Sequence, residues 1–279
     1  MNAFLQKFIK LFAQIFFRFF NSNRLTRQFL DFFVTESWKN YVTVRHKGHS
    51  FRFVTPNSLN YFRANTFATK EPETLEWIES LDSGSILWDI GANVGLYSCY
   101  AAKVKDCQVY AFEPSVFNLE LLARNIYINE LSSKVTIIPL AVSDKMSVNQ
   151  MNMSSTEWGG ALSTFGKNYG HDGLILKKVF EYSTFGLTMD VVVEKLNLSF
   201  PNYIKMDVDG IEQLILRGGM KVLQKVKSVS IEINEDFLEQ KSNSEKILRE
   251  VGLNFLHKKH SVLFETGEFK NTYNQVWVR

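Results

Sequence analysis

From Ser85 to the end, short apolar runs alternate with stretches of helical period, and no other feature narrows the available folds so far. ILWDI (86–90), QVYAFEP (108–114), VTIIPLAV (135–142), YIKMDV (203–208) and VSIEIN (229–234) read as strands. VGLYSCYAAKV (94–104), VFNLELLARNIYIN (116–129), IEQLILR (211–217) and SEKILREVG (244–252) read as helices between or after them. Apolar strands joined through helices build a mostly parallel sheet with helices on both faces. FLHKKHS (255–261) and YNQVWVR (273–279) have no helix between them, so an antiparallel hairpin is expected to close the chain. The expected class is therefore α/β and Rossmann-like.

Composition removes whole classes of alternatives. Of 279 residues, 45% are apolar and 22% charged, which excludes a disordered, collagenous or disulfide-dense chain. The two cysteines, Cys99 and Cys107, stand in no metal-ligand spacing. Free thiols in a long chain suit a reducing, cytoplasmic compartment. Residues 1–30 carry Lys7, Lys10, Arg18, Arg24 and Arg27 and no acid, so the rest of the chain is mildly acidic. A nucleic-acid partner would want a basic body, and none is expected.

Three segments surround the alternating pattern or interrupt it. In residues 1–40, AFLQKFIKLFAQIFFRFF (3–20) puts Lys7, Lys10, Gln14 and Arg18 on one narrow stripe of an otherwise apolar helix. A cation on nearly every turn argues against spanning a membrane, and no small-residue cleavage site follows. Two fates remain: peripheral contact with a membrane, or docking on the body or a second subunit as a homodimer. Residues 41–81 read as a hairpin (41–54) and a helix (73–81), a lead-in to a catalytic domain at 82–279. Within that domain, about 145–200 is too long for an ordinary crossover and reads as an insertion that lines a binding site.

The most informative motif is LWDIGANVGLYS (87–98) at the end of the first strand of the alternation. Gly91 and Gly95 allow a tight turn, and the following helix N-terminus offers amides to an anionic group. A dinucleotide loop would carry a glycine where Asn93 stands. A small zwitterion fits better, with its carboxylate on the loop amides and its ammonium near Asp89. The methionyl end of S-adenosylmethionine has those charges. In YAFEPS (110–115), Glu113 ends the next strand, where a carboxylate accepts two ribose hydroxyls.

DIGANVGLYS, AFEPS, PLAVSD and YIKMDVDGIEQLILRGG, in this order and spacing, resemble the FkbM-type S-adenosylmethionine-dependent methyltransferases. FRANTFATKEPETLEWIESL (62–81) and SIEINEDF (230–237) are similar to that family too. The resemblance runs from about Phe51 to Arg279 and leaves out the N-terminal helix. It implies a Rossmann-like methyltransferase fold and a cofactor site lined by Asp89, Gly91, Asn93, Gly95 and Glu113, with Ala141 of PLAVSD beside them. It also implies O-methylation, often of sugar or polyketide hydroxyls, hence a small-molecule or glycan acceptor.

Catalysis is less sharply marked. Asp207 and Asp209 in KMDVDGIE (205–212) share a face near the expected switch point of the sheet. Asp207 reads as a general base or a ligand of the donor's ammonium. Asp207, Asp209 and Glu232 or Asn234 could also hold a hard cation, or the acids could cap the next helix and balance Lys205. Base or donor ligand stands ahead of metal, and no metal is expected. His171, in the insertion, is the second candidate base, and Trp158 could present a flat surface to a sugar ring. Two rival functions remain at this point: a nicotinamide-dependent oxidoreductase or epimerase, and a membrane-tethered binding protein without catalysis.

Overall fold

The computed structural model describes residues 3–279, so the first two residues of the 1–40 segment lie outside the described residues. The chain opens with α1 (Ala3–Phe20) and α2 (Arg24–Ser37), the hairpin β1 (Tyr41–His46) and β2 (His49–Val54), then α3 (Ser58–Asn65), α4 (Phe67–Lys70) and α5 (Pro72–Ser80). The alternating part begins with β3 (Ile86–Ile90), α6 (Leu96–Val104), β4 (Gln108–Phe112), α7 (Val116–Ile128) and β5 (Val135–Ile138). There follow β6 (Ala141–Val142), β7 (Ser147–Met153), β8 (Thr164–Phe165), β9 (Phe180–Leu187) and α8 (Met189–Leu196). The last stretch holds β10 (Tyr203–Met206), α9 (Glu212–Arg217), α10 (Met220–Leu223), β11 (Ser228–Asn234), α11 (Leu238–Glu250), β12 (Asn254–Lys259) and β13 (Thr272–Val278).

The seven-stranded sheet has the order β12-β13-β11-β10-β3-β4-β5. The run from β11 to β5 is parallel, and β13 lies antiparallel between β11 and β12. The chain winds outward from β3 in one direction and from β10 in the other. Ligands of such sheets bind beyond the carboxyl ends at that reversal, which here is the β3–β10 edge.

Alternation along the strands sorts the core into two layers. Trp88, Ile90, Ile204, Met206 and Ile231 face one side, with Ile215, Leu216 and Leu248 over them. Leu87, Val109, Tyr203 and Val276 face the other, where they meet Phe51, Phe53, Phe67, Leu75 and Tyr100. The lead-in therefore shares its core with the sheet. Its hairpin is tied to the parallel part by Asn125, whose Oδ1 accepts from Val54 N at 2.8 Å while Nδ2 donates to Val94 O at 2.8 Å.

Three expectations change. The strand expected over 135–142 is two, because Pro139 cannot donate to a ladder; β5 stays in the main sheet and β6 pairs with β9. The insertion is not a bare loop but a second sheet of order β6-β9-β7-β8, followed by α8. The helix expected from 244 starts at Leu238. At the N-terminus, α2 folds back along α1, with the Phe20 and Phe29 rings 5.3 Å apart. Phe8, Phe12, Ile15, Phe19, Phe29 and Phe32 remain exposed. No helix among the described residues is long and apolar enough to cross a membrane.

Candidate active site

The turn after β3 is built on its glycines. Gly91 has φ +85°, and a Cβ there would lie 1.9 Å from the Asp207 carbonyl oxygen, so only glycine lets the ends of β3 and β10 close up. At Gly95, φ +80°, a Cβ would meet Leu122 Cδ1 at 2.3 Å, so this glycine seats α6 against α7. Gly91 N and Ala92 N both donate to Phe112 O at 3.0 Å, which draws the turn over the end of β4.

Glu113 stands just beyond β4. Its Oε2 accepts from Asn93 N and its Oε1 from Ser115 N, each at 2.7 Å. Burial pushes its pKa up to about 8, more than these two bonds lower it. Each oxygen keeps capacity for a second donor.

Two cavities meet at the β3–β10 edge, of about 280 and about 70 Å³. Gly91, Asn93, Ala161, Asp207 and Asp209 line both. The smaller has Glu113 and Ser115 on one side and Leu140, Ala141, Val142, Met151 and Phe165 as apolar lining. The larger extends from the turn to α3–α5 and β13, past Arg63, Lys70, Glu71, Glu73, Tyr97 and Lys205 to Phe264, Phe269, Thr272 and Asn274. S-adenosylmethionine fits this donor set: an apolar slot for a base, a buried carboxylate for a ribose diol, and an opening at Asp207 toward a second, polar chamber.

Asp89 and Lys205 change the expected electrostatics. Asp89 is 1% exposed and lines neither cavity. Its Oδ2 accepts from Ser98 Oγ at 2.5 Å, and Oδ1 lies 3.8 Å from Lys205 Nζ. Burial pushes the Asp89 carboxyl up, against the pull of Lys205. Asp89 thus lies beneath Lys205, behind the cavity wall. The Lys205 ammonium reaches Asp207 Oδ2 at 3.2 Å. Burial works against its charge, yet Asp207, Asp89 and Glu71 together hold it above the usual lysine range.

Asp207, Asp209 and Glu232 bring one carboxylate oxygen each within 4.8 Å of one another. Burial first, then Asp207, raises Asp209 to about 7, although its Oδ2 accepts from Leu162 N and Ser163 N. Burial and the neighbouring carboxylates push Glu232 well up. Glu232 supplies the third oxygen that the sequence left unplaced, and the trio could hold a hard cation. Asn234, the other candidate, is occupied elsewhere, with Nδ2 on His171 O and Oδ1 accepting from Asp236 N.

The insertion reaches the site through its backbone. Asn57 and Asn60 donate to Trp158 O, Arg63 to Gly159 O, and Asn93 and Asn118 to Gly160 O. The Trp158 ring packs on Trp38 at 4.7 Å and lines neither cavity. His171 is buried behind Phe269, its ring 4.9 Å from that phenyl, and likewise lines neither cavity. The Trp158 ring thus anchors the insertion, and the His171 ring backs Phe269 in the cavity wall. Arg63, Lys70, Glu71 and Glu73 were within the stretch similar to the family but carried no assigned role. A lysine inside the apolar run YIKM was the available signal for Lys205.

A family model described as the methyltransferase FkbM domain matches residues 89–260. The chain is similar to the hexuronic acid methyltransferase AglP of Haloferax volcanii, 25% identical over 191 residues, covering 67% of this chain and 72% of that protein. It is also similar to the methyltransferase sdnD of Sordaria araneosa, 27% identical over 162 residues, covering 50% of this chain and 62% of that one. Among solved structures, the fibrillarin pre-rRNA processing protein of Methanococcus jannaschii aligns at 14% identity and TM-score 0.46, over 86% of this chain and 82% of the other. No functional weight rests on that last likeness.

Proposed function

The chain belongs to the FkbM methyltransferase family, and from that premise we propose that it O-methylates a sugar hydroxyl with S-adenosylmethionine as donor. Membership favours neither rival, the nicotinamide enzyme or the non-catalytic binder. The observation that carries the reading is Asp207 in the wall common to both cavities. When bound, the donor supplies an electrophilic methyl on a sulfonium, which leaves as a neutral thioether. Glu113 would hold the ribose diol, and Leu140, Ala141, Val142 and Met151 would enclose the base. Lys205 fixes one oxygen of Asp207 and leaves the other to take the proton of an acceptor hydroxyl entering from the larger cavity. Alignment of oxygen and methyl supplies much of such a catalyst's effect, and a placed base adds to it. A hexuronic acid methyltransferase among the relatives supports a sugar as acceptor.

Asp207→Asn tests this. Turnover should fall roughly 100–10,000-fold, about 3–5 kcal/mol, with donor affinity kept. Unchanged turnover at limiting donor removes Asp207 from the chemistry.

The α1–α2 pair supports peripheral contact with an anionic lipid surface. Its cations have no acid among them before Asp31, and its exposed phenylalanines offer an apolar face to the acyl boundary.

A further inference from the structure

The larger cavity has a far wall on the side away from Glu113 and the apolar slot. Glu232 pairs in register with Asn274, and Asn234 with Thr272, so Asn274 and Thr272 lie two apart on one face of β13. Glu73 comes from α5 on the opposite side, and its Oε1 accepts from Asn274 Nδ2 at 2.9 Å. Glu73 and Thr272 are 5% and 6% exposed, and both line the cavity. In each, one buried oxygen, Glu73 Oε2 and Thr272 Oγ1, has no hydrogen-bond partner. Unmatched buried polar atoms are costly and uncommon. Two of them in one cavity wall are what a site for hydroxyl groups requires. Beside them, the connection from β12 to β13 sets the rings of Phe264 and Phe269 5.9 Å apart, edge to face, in the same lining. An apolar surface next to polar hooks matches a pyranose, which has a C–H face and a hydroxyl rim.

Charge decides the kind of sugar. Lys70 is paired with Glu71, and Lys205 with Asp207. Arg63 is turned to the Gly159 carbonyl. Glu73 and Glu232 make no ion pair, although His260 stands in the same lining, and a carboxylate on the acceptor would meet these two buried acids there. Building on the sugar-methyltransferase reading, we propose that Glu73, Thr272 and Asn274, with Phe264 and Phe269, form an acceptor subsite selective for neutral pyranose rings over uronic acids.

The test is ligand-observed saturation-transfer NMR on the full chain with S-adenosylhomocysteine bound. The probes are methyl glycosides of glucose, galactose and mannose and the matching methyl hexuronides. A neutral glycoside should bind, and its uronide should bind more weakly. Thr272→Val and Glu73→Gln should each weaken the neutral probe about tenfold, the value of one buried hydrogen bond. Calorimetry of S-adenosylhomocysteine should be unchanged in both. Should Glu73→Gln fail to fold, the near-isosteric Thr272→Val decides. A uronide preferred, variants with unaltered affinity, or a donor-binding chain that ignores every glycoside would overturn the subsite and leave the methyltransferase reading standing. A chain that does not bind S-adenosylhomocysteine at all would overturn both.

Discussion

At the scale of single residues, Glu113 gives the clearest pH signature. Burial holds its pKa at about 8, so the carboxyl is largely protonated at neutral pH. Ribose hydroxyls donate to the carboxylate form, so donor binding should release a proton there. Donor affinity should rise from pH 6 to 8 and then level, and Glu113→Gln should bind more weakly without that slope. Calorimetry in buffers of different ionisation enthalpy would show the proton, and its absence would detach Glu113 from the ribose. Gly91→Ala meets a backbone oxygen that cannot withdraw, besides about 1–2 kcal/mol for its left-handed φ. It should abolish donor binding, as thermal shift with added donor would report. The positions of Gly91, Gly95, Glu113 and Asp207 in the cavity region were legible because local strand-turn-helix chemistry marks them. The approach of Asp89 to Lys205 was not legible, because the two lie far apart along the chain. Glu73 and Asn274 are 201 positions apart and share no local pattern.

Among elements, the parallel strands were readable because burial on both faces leaves an apolar run of fixed length. The second sheet was not. Its strand SVNQMNM is half polar, and the pairing of that strand with β9 crosses a long intervening stretch. The break after β5 had a signal in Pro139 that the apolar run concealed. Asn125 is where element packing is most exposed to a single change, since it alone satisfies Val54 N and Val94 O through its side chain. Asn125→Ala leaves two buried backbone groups unmatched, at about 1–3 kcal/mol each. Urea unfolding should show a loss of about 2–5 kcal/mol, with donor affinity falling too, because Val94 belongs to the donor turn. A loss below 1 kcal/mol would mean that water replaces both bonds.

For the molecule as a whole, the α1–α2 pair should bind vesicles containing phosphatidylglycerol at low salt and release them at high salt, each cation being worth about 1 kcal/mol near such a surface. Replacing Lys7, Lys10 and Arg18 by glutamate should abolish sedimentation with vesicles and leave donor calorimetry intact. A full chain that ignores vesicles and dissociates from dimer to monomer in that variant would assign the pair to self-association instead. The family match ends at residue 260 and begins at 89. The proposed acceptor subsite lies outside those limits, with Glu73 on one side and Phe264, Phe269, Thr272 and Asn274 on the other. On the proposed reading, the donor site and the acceptor subsite draw on different stretches of the chain. Exchanging both flanks with those of a relative should then move acceptor preference with them and leave donor binding unchanged.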